Sequence, residues 1–167
     1  GFEVGSYDAS HDLVIDPWLA ASFLGGSSNE QAYAVARDSS GNIFVAGCAQ
    51  SLDFPTTAGA YWTTFVGGDR RCFFGWTTDN YYGDAFISKF NPSLTSLLAS
   101  TYMGGMKDDL ICALTVDNAG NVFAAGRTTS TNFPTTLGSY QFTCDYSGGE
   151  MAFVAKLNNA LNSLQAS

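Results

Sequence analysis

The chain has 167 residues, enough for one domain with a real core or two very small ones. Only 13% are charged while 14% are aromatic and 18 are Gly, an ordered, β-leaning composition that excludes disorder. A formal charge of −8 with no Lys/Arg cluster makes nucleic acid and anionic membrane surfaces poor partners, and the apolar runs are of strand length, so no transmembrane span and no membrane insertion are expected.

The first residue is Gly1, with no signal peptide visible, as expected of a processed form or an excised piece. Residues 1–18, a lead-in, hold "FEVGSYD" and the start of "LVIDPWLAASFL", which read as the outer half of a four-stranded unit. From Gly25 onward the chain repeats itself. With one offset of 79, "GGSSNEQAYAVARDSSGNIFVAGCAQSLDFPTTAGAY" faces "GGMKDDLICALTVDNAGNVFAAGRTTSTNFPTTLGSY" without a gap. After a length difference the match resumes, "AFISKFNPSLTSLLAS" (85–100) against "AFVAKLNNALNSLQAS" (152–167). The repeats occupy 19–97 and 98–167.

Each repeat predicts four short strands. In the first, "AYAVARD" turns at Ser39-Ser40-Gly41 into "NIFVAG", a Gly-containing hairpin. The loop "DFPTTAGAY" (53–61) follows; its Pro and paired Thr exclude helix and central strand, so it predicts a shaped loop with Phe54 plugged inward. An insert with Cys72 then precedes "AFISKF" and a fourth strand ending in "LLASTYMGG". The second repeat gives "ICALTVD", "NVFAAG", "NFPTTLGSY" (132–140) with Phe133, and "AFVAKL". Its last strand stops at Ser167, which aligns with Ser100, before the equivalent of "TYMGG". Consecutive apolar residues in these strands predict burial on both faces, as in stacked sheets. The expected fold class is all-β: four-stranded antiparallel β-propeller blades, about two plus a leading half-blade, not closed into a propeller by themselves.

"STYMGG" (100–105), "TVDNAGNVFAAG" (115–126), "STNFPTT" (130–136) and "AFVAKLN" (152–158) resemble the bacterial β-propeller repeat family called SBBP. "VGSYDASHDLVIDPWL" (4–19) is similar to the segment leading into the first such repeat in large secreted proteins. The resemblance implies an exported or cell-surface, non-enzymatic scaffold with no defined ligand. The family's arrays carry many units, whereas two are present here.

Half-finished blades at both ends would expose backbone and apolar surface. The expected partners are therefore copies of the same chain, joined head to tail into a ring or an extracellular filament by completing one another's blades. The alternative is a slice of a larger propeller acting as a carbohydrate- or protein-binding module.

The four cysteines, Cys48, Cys72, Cys112 and Cys144, show no CxxC spacing and His11 stands alone, so no metal or haem site is expected and no cofactor. Their even, scattered placement predicts disulfides and an oxidising compartment, with Cys48–Cys72 and Cys112–Cys144 ahead of an inter-blade Cys72–Cys144 bridge. Trp62 and the insert's Phe73, Phe74, Trp76, Tyr81 and Tyr82 form a candidate interface or sugar-stacking surface, or a small core of their own. Asp38 and Asp117, in D-x-x-G-N turns, predict side-chain-stabilised hairpins rather than calcium ligands. Asp108–Asp109 is the one adjacent acid pair considered for acid–base work, and it reads as two exposed turn carboxylates. With one His, no G-x-S-x-G and no P-loop, no catalytic residue is assigned.

Overall fold

A computed structural model of the chain describes residues 10, 20–67, 83–143 and 149–167. Eight strands form two sheets: β1 (Glu30–Arg37), β2 (Ile43–Ala49), β3 (Asp84–Phe90) and β4 (Leu97–Met103), then β5 (Asp109–Val116), β6 (Val122–Thr128), β7 (Met151–Leu157) and β8 (Leu164–Ala166). Each sheet is a simple antiparallel meander in chain order. The lead-in strands expected over 1–18 lie outside the described residues, Ser10 apart. The repeat boundary at 97/98 coincides with the start of β4, which completes the first sheet before Gly104–Gly105 leads into the second.

Local chemistry explains why these runs become hairpins. Asp38 Oδ1 accepts the N–H groups of Ser40 and Asn42, both at 2.9 Å, and Asp117 Oδ1 does the same for Ala119 and Asn121. Gly41 and Gly120 follow at φ 85° and 84°, a region that costs a side-chain-bearing residue about 1–2 kcal/mol. The turns at Asp38 and Asp117 are thus closed by their own Asp and Asn side chains.

The first two strands of each sheet share a bulge. Pairing jumps from Ala32 to Ala34 in β1 and from Ile111 to Ala113 in β5, leaving out Tyr33 and Cys112, which are 79 residues apart. The opposing strand tolerates the bulge because it presents glycine. A Cβ on Gly47 would lie 1.8 Å from the Gln31 carbonyl oxygen, and one on Gly126 1.9 Å from that of Leu110.

The sheets share one buried core. Phe44, Ala46, Ala85, Ile87, Ala99 and Met103 of the first meet Ile111, Val122, Ala124, Ala155, Leu157 and Leu161 of the second. Strand β5 lies against β1, β2 and β3. That explains why β3 is buried along its whole length, on both faces, as its apolar run predicts. A second cluster, on the other face of the first sheet, packs Phe54 with Ala49, Phe86 and Tyr102.

The glycine opposite the bulge is testable. Gly47→Ala drives a methyl group into backbone and should cost about 3 kcal/mol in urea unfolding. Gly59→Ala, at φ 78° with nothing within 4 Å of its Cβ, should cost about 1 kcal/mol. Equal losses at the two positions would contradict the close-approach account.

Candidate interaction site

The first sheet shows how a finished outer edge is built. After Phe54 the chain runs back along β4: Thr57 N–H donates to Ser100 O at 3.0 Å, and Ser100 N–H donates to Thr57 Oγ1 at 3.0 Å. Further on, Trp62 N–H donates to Thr101 Oγ1 at 2.9 Å and Tyr102 N–H donates to Trp62 O at 3.0 Å. The D-F-P-T-T loop is therefore a clamp that covers the edge of β4. Tyr102 fills the space beneath it, 5.7 Å from Phe54 and 5.9 Å from Phe65 between ring centroids, with its hydroxyl donating to Ser51 O at 2.5 Å. Burial pushes the Tyr102 phenol up to about 12.

The second sheet begins the same construction. Phe133 packs on Phe153 at 4.3 Å as Phe54 packs on Phe86 at 4.6 Å. Ser167 N–H donates to Thr136 Oγ1 at 3.1 Å, the counterpart of the Ser100–Thr57 bond. There the likeness ends. Strands β3 and β4 pair at six positions, from Ala85↔Met103 to Phe90↔Leu97. Strands β7 and β8 pair at two, Lys156↔Ala166 and Leu157↔Leu164. Among the described residues, Ala152, Phe153 and Val154 have no strand on that side. A cavity of about 330 Å³ opens there, lined by Phe133, Thr135, Phe142, Phe153, Val154 and Ser167 among others.

The junction between the sheets gives the second half of the geometry. Tyr61 N–H donates to Leu161 O at 2.8 Å, and Leu161 is fully buried at φ 55°. Lys89 bonds Asn159 and lies 3.6 Å from Asp38, and Tyr33, from the bulge, packs on Cys48 and Leu110. The counterparts of these groups on the outward faces are open. Tyr140, matching Tyr61, is 106% exposed, and Val154, matching the buried Ile87, is 67% exposed. On the opposite side, Phe23, Leu24, Val35, Phe90 and Leu94 help to line a cavity of about 430 Å³.

Three carboxylates sit at the junction. Asp84 and Asp109 are fully buried and Asp108 nearly so, so the Asp108–Asp109 pair is not the exposed turn its sequence suggests. Stacking the second sheet on the first is what buries it: Asp109 N–H donates to Gly83 O at 2.8 Å. Asp109 Oδ2 accepts from Gly105 N–H at 2.7 Å and from the Ser130 hydroxyl at 2.9 Å, tying the inter-sheet turn to the second clamp. Glu30 bonds Gly26 and Ser51 in the same way. Asp84 Oδ2 accepts from Val66 N–H at 2.6 Å, while Oδ1 of Asp84 and of Asp109 meets no well-aligned donor among the described residues. Burial raises all three, with Asp84 and Asp108 at about 6 and Asp109 at about 7; Asp108 is partly offset by Arg127, 3.4 Å away. Asp84 has no acidic counterpart in the second repeat, where Met151 stands, so the repeat does not mark it; its place just ahead of the repeated "AF" strand is the available signal.

Of the residues singled out in the sequence, Cys48 is buried and disulfide-bonded. Cys72 and Cys144 lie outside the described residues, as do His11, Phe73, Phe74, Trp76, Tyr81 and Tyr82. Cys112 is a free, exposed thiol, which corrects the expected Cys112–Cys144 bridge. The bulge is the physical reason: it takes Cys112 out of register on β5 and leaves it exposed on the outward face. Trp62 packs on the Phe54–Phe86–Tyr102 cluster, with its backbone in the clamp. Among the described residues no group of three His, Cys, Asp or Glu side chains is arranged to hold a metal ion, and no helix is long and apolar enough to cross a membrane. Neither a protein-family model nor a curated protein matches the chain.

Two outcomes follow from this geometry. The folded chain holds Asp84, Asp108 and Asp109 above the ordinary carboxylate range, so it binds more protons than the unfolded chain up to about pH 7. Their contribution is complete in acid and is lost as pH rises through about 6 to 7. For Asp38, burial works against ionisation but is outweighed by the bonds from Asn42, by Lys89 and by Ser40; for Asp117 the Asn121 side chain leads. Both are held low, so their contribution is lost in stronger acid. The melting temperature should therefore rise from about pH 8 to about pH 5 and fall below about pH 3.5. Asp109→Asn should flatten the upper limb; a flat wild-type profile would contradict the assignment. In native protein, a thiol reagent followed by mass mapping should modify Cys112 and spare Cys48.

Proposed function

We propose that the chain is a non-enzymatic structural protein whose two sheets are β-propeller-type blades, akin to the SBBP repeats, and that copies join head to tail into a ring or filament by completing one another's blades. One observation carries this reading. The groups that meet at the junction of the two sheets recur in both repeats, and the counterparts of Tyr61 and of the buried Ile87, Tyr140 and Val154, stand exposed on an outward face. The meander order, with β4 leading directly into the next sheet, supports the blade assignment. The exposed Tyr140 and Val154 on one outward face, and Phe23 and Val35 on the other, supply apolar surface for the contact.

A disulfide at Cys48 supports an exported or cell-surface location, since such bonds persist in oxidising compartments. The reading as a sugar- or protein-binding slice of a larger propeller draws on the aromatic insert. Its one described member, Trp62, is engaged in the clamp rather than presented to solvent as a free ring.

Sedimentation velocity over a hundredfold range of concentration, with negative-stain microscopy of the same samples, tests the proposal. Mass growing in steps of the 17.7 kDa chain, with rings or filaments in the images, is the expected result. A single 17.7 kDa species at every concentration would overturn it.

A further inference from the structure

Two glycines make room for a pair of acids at the joint between the sheets. Asp84 opens β3 and Asp109 opens β5, and both are fully buried. A Cβ on Gly104 would lie 3.0 Å from Asp84 Oδ1 and 2.7 Å from Asp109 Oδ2, and one on Gly67 would lie 2.8 Å from Asp84 Oδ1. The two carboxyl groups thus converge on the bare Cα of Gly104. Each also holds a piece of chain: Asp84 Oδ2 accepts from Val66 N–H at the end of the first clamp, and Asp109 Oδ2 accepts from Gly105 N–H in the inter-sheet turn. Oδ1 of each is left buried without an aligned donor among the described residues. A buried acceptor with no donor is costly, and two ionised carboxylates in one dry place are costlier still.

The neighbouring charges do not relieve the pair. Asp108 adjoins it on β5, and Tyr102 on β4 faces Asp84, Glu30 of β1 and Asp53 of the clamp. Arg127 on β6 is engaged by Asp108 and Glu150, and Lys107 is exposed to solvent. Among the described residues no Lys or Arg forms an ion pair with Asp84 or Asp109. Nor does the fold require an acid at this place. Met151 stands opposite Thr128 in the second sheet as Asp84 stands opposite Ala49 in the first.

We propose that Asp84 and Asp109 hold one proton between them and that this proton latches the joint, closed in acid and released in base. With the proton in place, one carboxyl donates to the other, and the end of the clamp and the inter-sheet turn are drawn to the same point. When the proton leaves to solvent, two carboxylates face each other in a dry site. The Phe65–Gly67 and Gly104–Gly105 segments then separate while the strands stay paired. Burial, and for Asp109 also the charge of Asp84, raises the two acids to about 6 and about 7. The latch is therefore closed below that window and opens as pH rises through it. It works within one chain and needs no association.

Carboxyl-carbon NMR and amide exchange from about pH 5 to about pH 8 test the latch. In the wild type the Asp109 carboxyl carbon should titrate in two steps, as a coupled pair does, the later one near pH 7. Over the same range the Val66 and Gly105 amides should gain about tenfold in exchange beyond the intrinsic rise with pH. The amides of 85–87, flanked by β2 and β4, should not. Asp84→Asn places an N–H donor where Oδ1 stands and keeps an oxygen for Val66 N–H. It should hold the latch closed at pH 8 and lower the Asp109 midpoint to below about pH 6. Asp108→Asn should leave the extra exchange in place. An Asp109 midpoint unmoved by Asp84→Asn would overturn the shared proton. Two titration steps without the extra exchange would overturn the latch. Should Asp84→Asn fail to fold, Asp109→Asn with the Asp84 carbon observed gives the same reading.

Discussion

The structure depends on how each sheet satisfies the backbone groups along its outermost edge. A strand edge presents a row of N–H and C=O groups that must find partners or water, and an apolar face beside it raises the cost of leaving it open. In the first sheet both needs are met at once. Strand β4 pairs along β3, the loop after Phe54 pairs along β4, and Tyr102 seals the gap between them with its ring and its hydroxyl. Remove β4 from that arrangement and the clamp has nothing to hold. In the second sheet Thr136 holds Ser167 in the same way, and among the described residues Ala152–Val154 pair with β6 on one side only.

The repeat works because one set of solutions is used twice. Asp38 and Asp117 close equivalent turns, Gly47 and Gly126 make room for equivalent bulges, and Glu30 and Asp109 tie equivalent Gly-Gly turns to Ser51 and Ser130. The junction uses residues that both repeats carry in some form. Tyr61 and Leu161 meet across it, and their counterparts Tyr140 and Leu94 sit on opposite outer faces. A contact between unlike faces of identical subunits propagates, closing into a ring or continuing as a filament according to the rotation it imposes.

Much of this was legible in the sequence. The 79-residue offset located the strands, the turns at Asp38 and Asp117, and the inward Phe54 and Phe133, because those features depend on neighbours close in the chain. What was not legible depends on the stacking of one sheet upon the other. Asp108–Asp109 follows a Gly-Gly turn and looks solvent-facing until Gly83 and the first sheet cover it. The spacing that suggests a disulfide at Cys112 carries no information about which way a bulge aims its residue. Trp62 stands beside the aromatic insert in sequence, whereas its backbone pairs with Thr101 and Tyr102, some forty residues away.

The proposed head-to-tail association of chains is tested most directly by residue-resolved hydrogen exchange at several protein concentrations. Association predicts that those amides of 152–154 that point away from β6 exchange fast in dilute solution and slow as concentration rises, while the amides of 85–87, flanked by β2 and β4, do not change. Exchange at 152–154 that is independent of concentration, in a protein that remains folded, would contradict the account.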